Sequence, residues 1–120
     1  MSGHQVEKVG NKGIGIVSFP HEEDKRVDLD AVRSFFATHF FTETANAKHL
    51  IIDLSGVSTL DSSSLSPLVQ RFRELQENQG TMVLCGIRSQ GLREILSLTR
   101  FDRIFDIYDT REQALQSFEN

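Results

Sequence analysis

The sequence predicts an α/β fold: a mixed, mainly parallel β-sheet with an antiparallel edge strand and about four helices. Three observations point there. The runs Leu50-Ile-Ile-Asp-Leu54 and Thr81-Met-Val-Leu-Cys85 are nearly all apolar, as expected of parallel strands covered on both faces. The segments between and after them place apolar residues at helical spacing. Strand and helix then alternate throughout the second half, the pattern of a parallel sheet layered with helices.

Taken in order, Met1–Lys12 contains Gln5, Val6, Glu7 and Val9, a short edge strand paired through a Gly10-Asn11-Lys12-Gly13 turn. Gly13-Ile-Gly-Ile-Val-Ser-Phe19 is rich in β-branched and aromatic residues and stops at Pro20, so it is a strand. Pro20 to Asp28 is a charged loop, and Asp28 or Asp30 caps the helix that follows. Leu29, Val32, Phe36, His39 and Phe40 share one face of that helix. Phe41 is displaced well around it, and a regular helix cannot point Phe35, Phe36, Phe40 and Phe41 into one core. The extra rings therefore lie under the Glu43–Lys48 loop or form an exposed patch for a partner or second copy.

After Leu54 a short polar turn leads to three serines, Ser62, Ser63 and Ser64, which open a second helix. Its stripe is Leu65, Leu68, Val69, Phe72 and Leu75; Arg71, Arg73, Glu74 and Glu77 lie away from it, and Gly80 is placed to end it. Beyond the Thr81–Cys85 strand and a Gly86 turn, Ser89 caps a third helix using Leu92, Ile95, Leu96 and Leu98. Arg103 to Tyr108 forms a strand. Asp109-Thr110 introduces a last helix with Ala114, Leu115 and Phe118.

Composition narrows the function. The 120 residues fit a single domain, and 38% hydrophobic with 25% charged residues describes a globular chain, not a disordered one. A net charge of −4 disfavours nucleic-acid binding through a broad basic surface. One cysteine, Cys85, excludes an internal disulfide and fits a reducing compartment. The absence of a membrane-spanning apolar run or signal pattern points to a soluble, cytoplasmic protein. His4, His21, His39 and His49 lack metal-ligand spacing, and no nucleophile–base pair surrounds any serine, so neither a metal site, a cofactor nor an enzyme is expected.

The serine cluster carries the chemistry. Hydroxyl oxygens at a helix start accept hydrogen bonds from unpaired N–H groups, and the same amides, with the helix dipole, are receptive to an anion. From the residues alone the cluster reads either as helix capping or as a place where a hydroxyl carries a phosphate.

From about Gly13 to Phe118 the chain resembles the STAS domain, the fold of bacterial anti-sigma factor antagonists. The resemblance rests on Leu50-Ile-Ile-Asp-Leu-Ser-Gly-Val57, Leu60-Asp-Ser-Ser-Ser-Leu65, Gly80-Thr-Met-Val-Leu-Cys-Gly86 and the run from Ile95 through Thr99-Arg-Phe-Asp-Arg-Ile-Phe105 to Leu115. It implies phosphorylation at Ser62, the serine directly after Asp61, with Ser63 and Ser64 as alternatives. It also implies partner contact through Asp61, Ser62, Ser63, Ser64 and Ser66. The implied partners are an anti-sigma factor that is also a serine kinase, and a serine phosphatase. The implied function is a protein-interaction switch that regulates transcription indirectly, as a monomer or weak homodimer without nucleic-acid or membrane contact. The alternative is a STAS scaffold or small-ligand sensor that is not phosphorylated. Two residues depart from the family pattern. Ser64 stands where glycine is common, and Pro67 replaces an ordinary helix former, which predicts a helix that starts later or bends. A longer charged loop, Phe19 to Asp30, replaces the family's Gly-Glu-Leu-Asp-like element.

Overall fold

A computed structural model describes residues 4–10, 12–21 and 27–119. Five strands, β1 (Gln5–Val9), β2 (Ile14–Ser18), β3 (His49–Asp53), β4 (Thr81–Cys85) and β5 (Asp106–Tyr108), form one sheet in the order β1-β2-β3-β4-β5. β1 runs antiparallel to β2, with Glu7 opposite Ile16; the other neighbours are parallel. Ile51 stands opposite Val83, so the two apolar runs are adjacent parallel strands as expected. The expected Gly10–Gly13 turn includes Asn11, and the charged loop includes residues 22–26; these lie outside the described residues.

Strand alternation divides the apolar residues between two faces. Val17, Leu50, Ile52, Leu54, Met82 and Leu84 face the larger core, which α1 (Leu29–Ser34), α2 (Phe40–Glu43), α3 (Ser62–Glu77), α4 (Gln90–Leu98) and α5 (Phe101–Ile104) share. Ile14, Ile16, Ile51, Val83 and Cys85 face the other way and pack with Ala114 of α6 (Arg111–Gln116).

The first helical stretch differs from a regular helix, and that difference resolves the crowded phenylalanines. Asp28 caps α1, its side chain accepting from Asp30 N–H at 3.3 Å. Between α1 and α2, Phe35–His39 widens into a π-helical turn, and Phe40 N–H reaches the Phe35 carbonyl five residues back. The extra residue per turn swings Phe40 back over Phe35. Phe35, Phe36 and Phe40 are all fully buried, with ring centroids 5.0–5.8 Å apart. Phe41 is half-buried against the same core, and its ring lies 5.4 Å from that of Phe40. His39, expected on the core face, is instead exposed beside Glu43 at 3.3 Å, because the wider turn carries it outward.

Four further expectations are corrected. Phe101–Ile104 is a helical turn, so the last strand starts at Asp106 instead of Arg103 and α5 adds to the four helices expected. Leu98 is 80% exposed and takes no part in the core. Arg71 does not lie free of the packing: its side chain is 12% exposed, and its guanidinium donates to the carbonyl and hydroxyl of Thr44. The end of α3 is set by Gln79, not Gly80. Gln79 takes φ +67°, its N–H reaches the Gln76 carbonyl at 3.1 Å, and Gly80 N–H reaches the Leu75 carbonyl at 2.7 Å. Gly80 is required for another reason: a Cβ there would meet the Lys48 carbonyl oxygen at 1.8 Å.

The N-terminus of the second helix as candidate functional site

β3 delivers the chain into Leu54–Leu60, a loop pinned by its own apolar residues, since Val57 and Leu60 are buried. Val57 N–H bonds the Leu54 carbonyl at 3.0 Å, and the Ser58 carbonyl accepts the Ser89 hydroxyl at 2.7 Å. Ser89 also caps α4, so the N-termini of α3 and α4 are tied together. Val27 N–H on the Gly56 carbonyl, 2.9 Å, brings the start of α1 to the same loop.

Asp61 is the cap of α3, and the serines are not. Its backbone is extended, and its Oδ1 accepts from Ser63 N–H at 3.1 Å and from the Ser63 hydroxyl at 2.6 Å. Its Oδ2 accepts from Nε of Arg33 on α1, and Arg33 Nη1 reaches Asp30 Oδ1 at 3.3 Å. The Ser63 hydroxyl bond and then the Arg33 guanidinium hold the Asp61 carboxyl below the usual carboxylate range; Asp61 in turn raises the Arg33 pKa. Ser62 is the first helical residue and is exposed, with its hydroxyl left over by the capping scheme. Ser63 and Ser66 are exposed as well.

Ser64 differs. It is fully buried, and its hydroxyl has no hydrogen-bond partner among the described residues. The core face of α3 includes it together with Leu65 and Leu68, so it is removed from the set of residues that can touch a partner directly. Pro67 does not delay the helix, contrary to the expectation from sequence: α3 begins at Ser62 and runs 16 residues through the proline. The lost N–H of Pro67 leaves the Ser63 carbonyl without its helical donor.

From Ser62 a groove of about 710 Å³ runs along α3, floored by Leu65, Val69 and Phe101 and edged by Ser66, Arg73 and Glu77. Its sequence signal was incomplete. Val69 and Leu65 belong to the predicted stripe, but Phe101 enters from α5, and Arg33 reaches Asp61 from 28 residues away. No local spacing announces either contact.

Other titratable groups serve the fold. Cys85 is buried, which pushes its thiol up to about 12, with Asp53 adding to the rise. Arg111 places Nε and Nη2 on Asp53 Oδ2 at 3.2 and 3.0 Å, anchoring α6 to the end of β3. The His49 ring packs on Phe118, and burial followed by Lys48 lowers its pKa. Among the described residues no cluster of His, Cys, Asp or Glu could hold a metal ion, and no helix is long and apolar enough to cross a membrane.

The architecture is that of an α/β module with a capped, serine-bearing helix after its third strand, and comparison with known proteins places it. The STAS domain family matches residues 5–114, and the chain belongs to that family. The anti-sigma F factor antagonist of Paenibacillus polymyxa is 24% identical over 115 residues, covering 96% of this chain and 95% of its own. The solved structure of an anti-sigma-factor antagonist (STAS) domain protein from Planctomyces limnophilus superposes with a TM-score of 0.77 at 27% identity, covering 98% of both chains. The phosphorylated form of the Bacillus cell fate determinant SpoIIAA shares the fold, with a TM-score of 0.64 at 20% identity over 95% of this chain and 97% of its own.

Proposed function

We propose that this protein is an anti-sigma factor antagonist: it binds an anti-sigma factor that is also a serine kinase, and phosphorylation of Ser62 weakens that binding. The partner takes up the start of α3, with Asp61, Ser62, Ser63 and Ser66 at its centre and the apolar floor of the groove beyond. A serine phosphatase restores the binding-competent form, and the cycle runs in the cytoplasm. The single observation that carries this reading is the division of labour at the helix start. Asp61 does the capping, so Ser62 is exposed, its hydroxyl makes no hydrogen bond among the described residues, and it stands at the positive end of the helix dipole, which tolerates a phosphate. Capping therefore does not account for Ser62.

A phosphate adds about −1.5 to −2 charge where the partner must close on α3. Desolvating it unpaired in an interface is strongly unfavourable, which is how modification lowers affinity without unfolding the domain. Incubation with the cognate kinase and ATP, read by intact mass, should add one phosphate to the wild type and none to Ser62→Ala. Equal modification of both would move the site to Ser63; no modification of either would leave the scaffold or ligand-sensor reading in its place.

A further inference from the structure

We propose that α3 has a second start at Ser66-Pro67, and that opening of its first turn to that start hands Ser62 to the kinase. The inference deepens the reading of Ser62 as the modified residue and rests on it for the kinase step alone. In the structure α3 begins at Ser62 and carries Pro67 inside it. Three features of the first turns work against that long start. Pro67 has no N–H for the Ser63 carbonyl, and a proline ring crowds the carbonyl four residues back. Ser66 is held helical directly before a proline, where extended backbone is favoured. Ser64 is 0% exposed with a hydroxyl that finds no partner among the described residues, a cost that contact with water would remove.

The second start relieves all three. Ser66 as cap takes the extended backbone that a residue before proline prefers, and its hydroxyl accepts from the N–H of Leu68 or Val69. Pro67 becomes the first helical residue, where its fixed φ suits the helix and no N–H is needed. Ser64 reaches water. Opening takes the Ser64 and Leu65 N–H groups off the Asp61 carbonyl, 3.0 and 2.9 Å away, and frees Ser63 from the Asp61 side chain. Leu65, only 8% exposed, gives up its burial; that loss and the Asp61 cap keep the long start the more populated. Phosphoryl transfer requires the serine hydroxyl to be brought to the kinase's own catalytic base. In the long start the Ser62 backbone is fixed, with Asp61 and Ser63 bonded around it and Ser64 and Leu65 buried beyond. In the opened form it is an extended chain that can follow the hydroxyl.

Amide hydrogen exchange on the full, unmodified chain reads the second start without a kinase. The Leu65 N–H should be at least about 100-fold less protected than that of Phe72, which both starts keep helical. Pro67→Ala restores a donor for the Ser63 carbonyl and should raise Leu65 protection at least about tenfold relative to Phe72. Ser66→Ala removes the second cap and should raise it about fivefold, whereas Ser66→Asp, an equally good cap, should not. Leu65 as protected as Phe72 in the wild type, no rise in either alanine variant, or an equal rise in Ser66→Asp would overturn the second start. The kinase step is read by the rate of phosphate addition in intact mass. Pro67→Ala should be modified more slowly by the factor that its Leu65 protection rises, since only the opened fraction is taken. Equal rates for wild type and Pro67→Ala would overturn that step. A kinase that leaves wild-type Ser62 unmodified would refute the switch itself, while exchange still decides the second start.

Discussion

Asp61 does more at the site than any serine beside it. It caps α3 through Oδ1 and binds α1 through Oδ2, joining two helices at the point where a partner would arrive. Its carboxyl lies below the ordinary value of about 4, so its stabilising effect is present above that pH and is lost as pH falls through the lowered value. Asp61→Ala should melt lower than wild type at pH 7, with the gap closing below about pH 4. A gap that does not change with pH would mean that the cap acts without its charge. The core offers a second check at this scale. Leu68 is fully buried, whereas Phe72 is half-buried against Phe105, ring centroids 4.8 Å apart. Phe72→Ala should therefore cost about 2–3 kcal/mol, at or below the low end for a buried ring, and exposed Arg73→Ala no more than about 0.5 kcal/mol, read by denaturant titration. Equal shifts would mean that the face of α3 is misassigned.

The elements test how far local chemistry carries. Gln79 ends α3 by its left-handed backbone, while Gly80 lets the chain leave it past the Lys48 carbonyl by its missing side chain. Gly80→Ala must push the chain off the Lys48 carbonyl and should cost about 3 kcal/mol or more, at the top of the overpacking range. Gln79→Gly relieves a strained φ but frees the unfolded chain, so it should shift stability by about 0.5 kcal/mol or less. The reverse order would restore Gly80 as the terminator. The same pair shows what the sequence discloses. The buried strands, the Ser89 and Thr110 caps and the α3 stripe follow from composition and period, because those signals are local. The π-turn at Phe35–His39 was hidden because a 3.6-residue pattern assumes a helix of constant width. The α5 turn was hidden because Arg103 and Ile104 run without a break into the strand residues that follow them. Arg33, Phe101 and Arg71 act across the fold, and nothing in their own neighbourhoods marks them.

At the scale of the molecule, the sheet separates two surfaces with different tasks. α6 covers one face, holding Cys85 out of reach with Arg111 on Asp53 as its anchor. The other face carries α3 and α5, and there the helix start, the groove and its phenylalanine wall lie together. A charge added at Ser62 falls at the edge of this arrangement, on the exposed first residue of α3 at the positive end of the helix dipole, so the fold should absorb it and the partner should not. The most direct test is calorimetric titration of the cognate anti-sigma factor with unmodified protein and with protein carrying phosphoserine at position 62, each also melted alone. Binding weakened at least about tenfold, a loss of about 1.4 kcal/mol, with the melting temperature moved by no more than about 2 °C, is the predicted result. Equal affinity for the two forms would contradict the account.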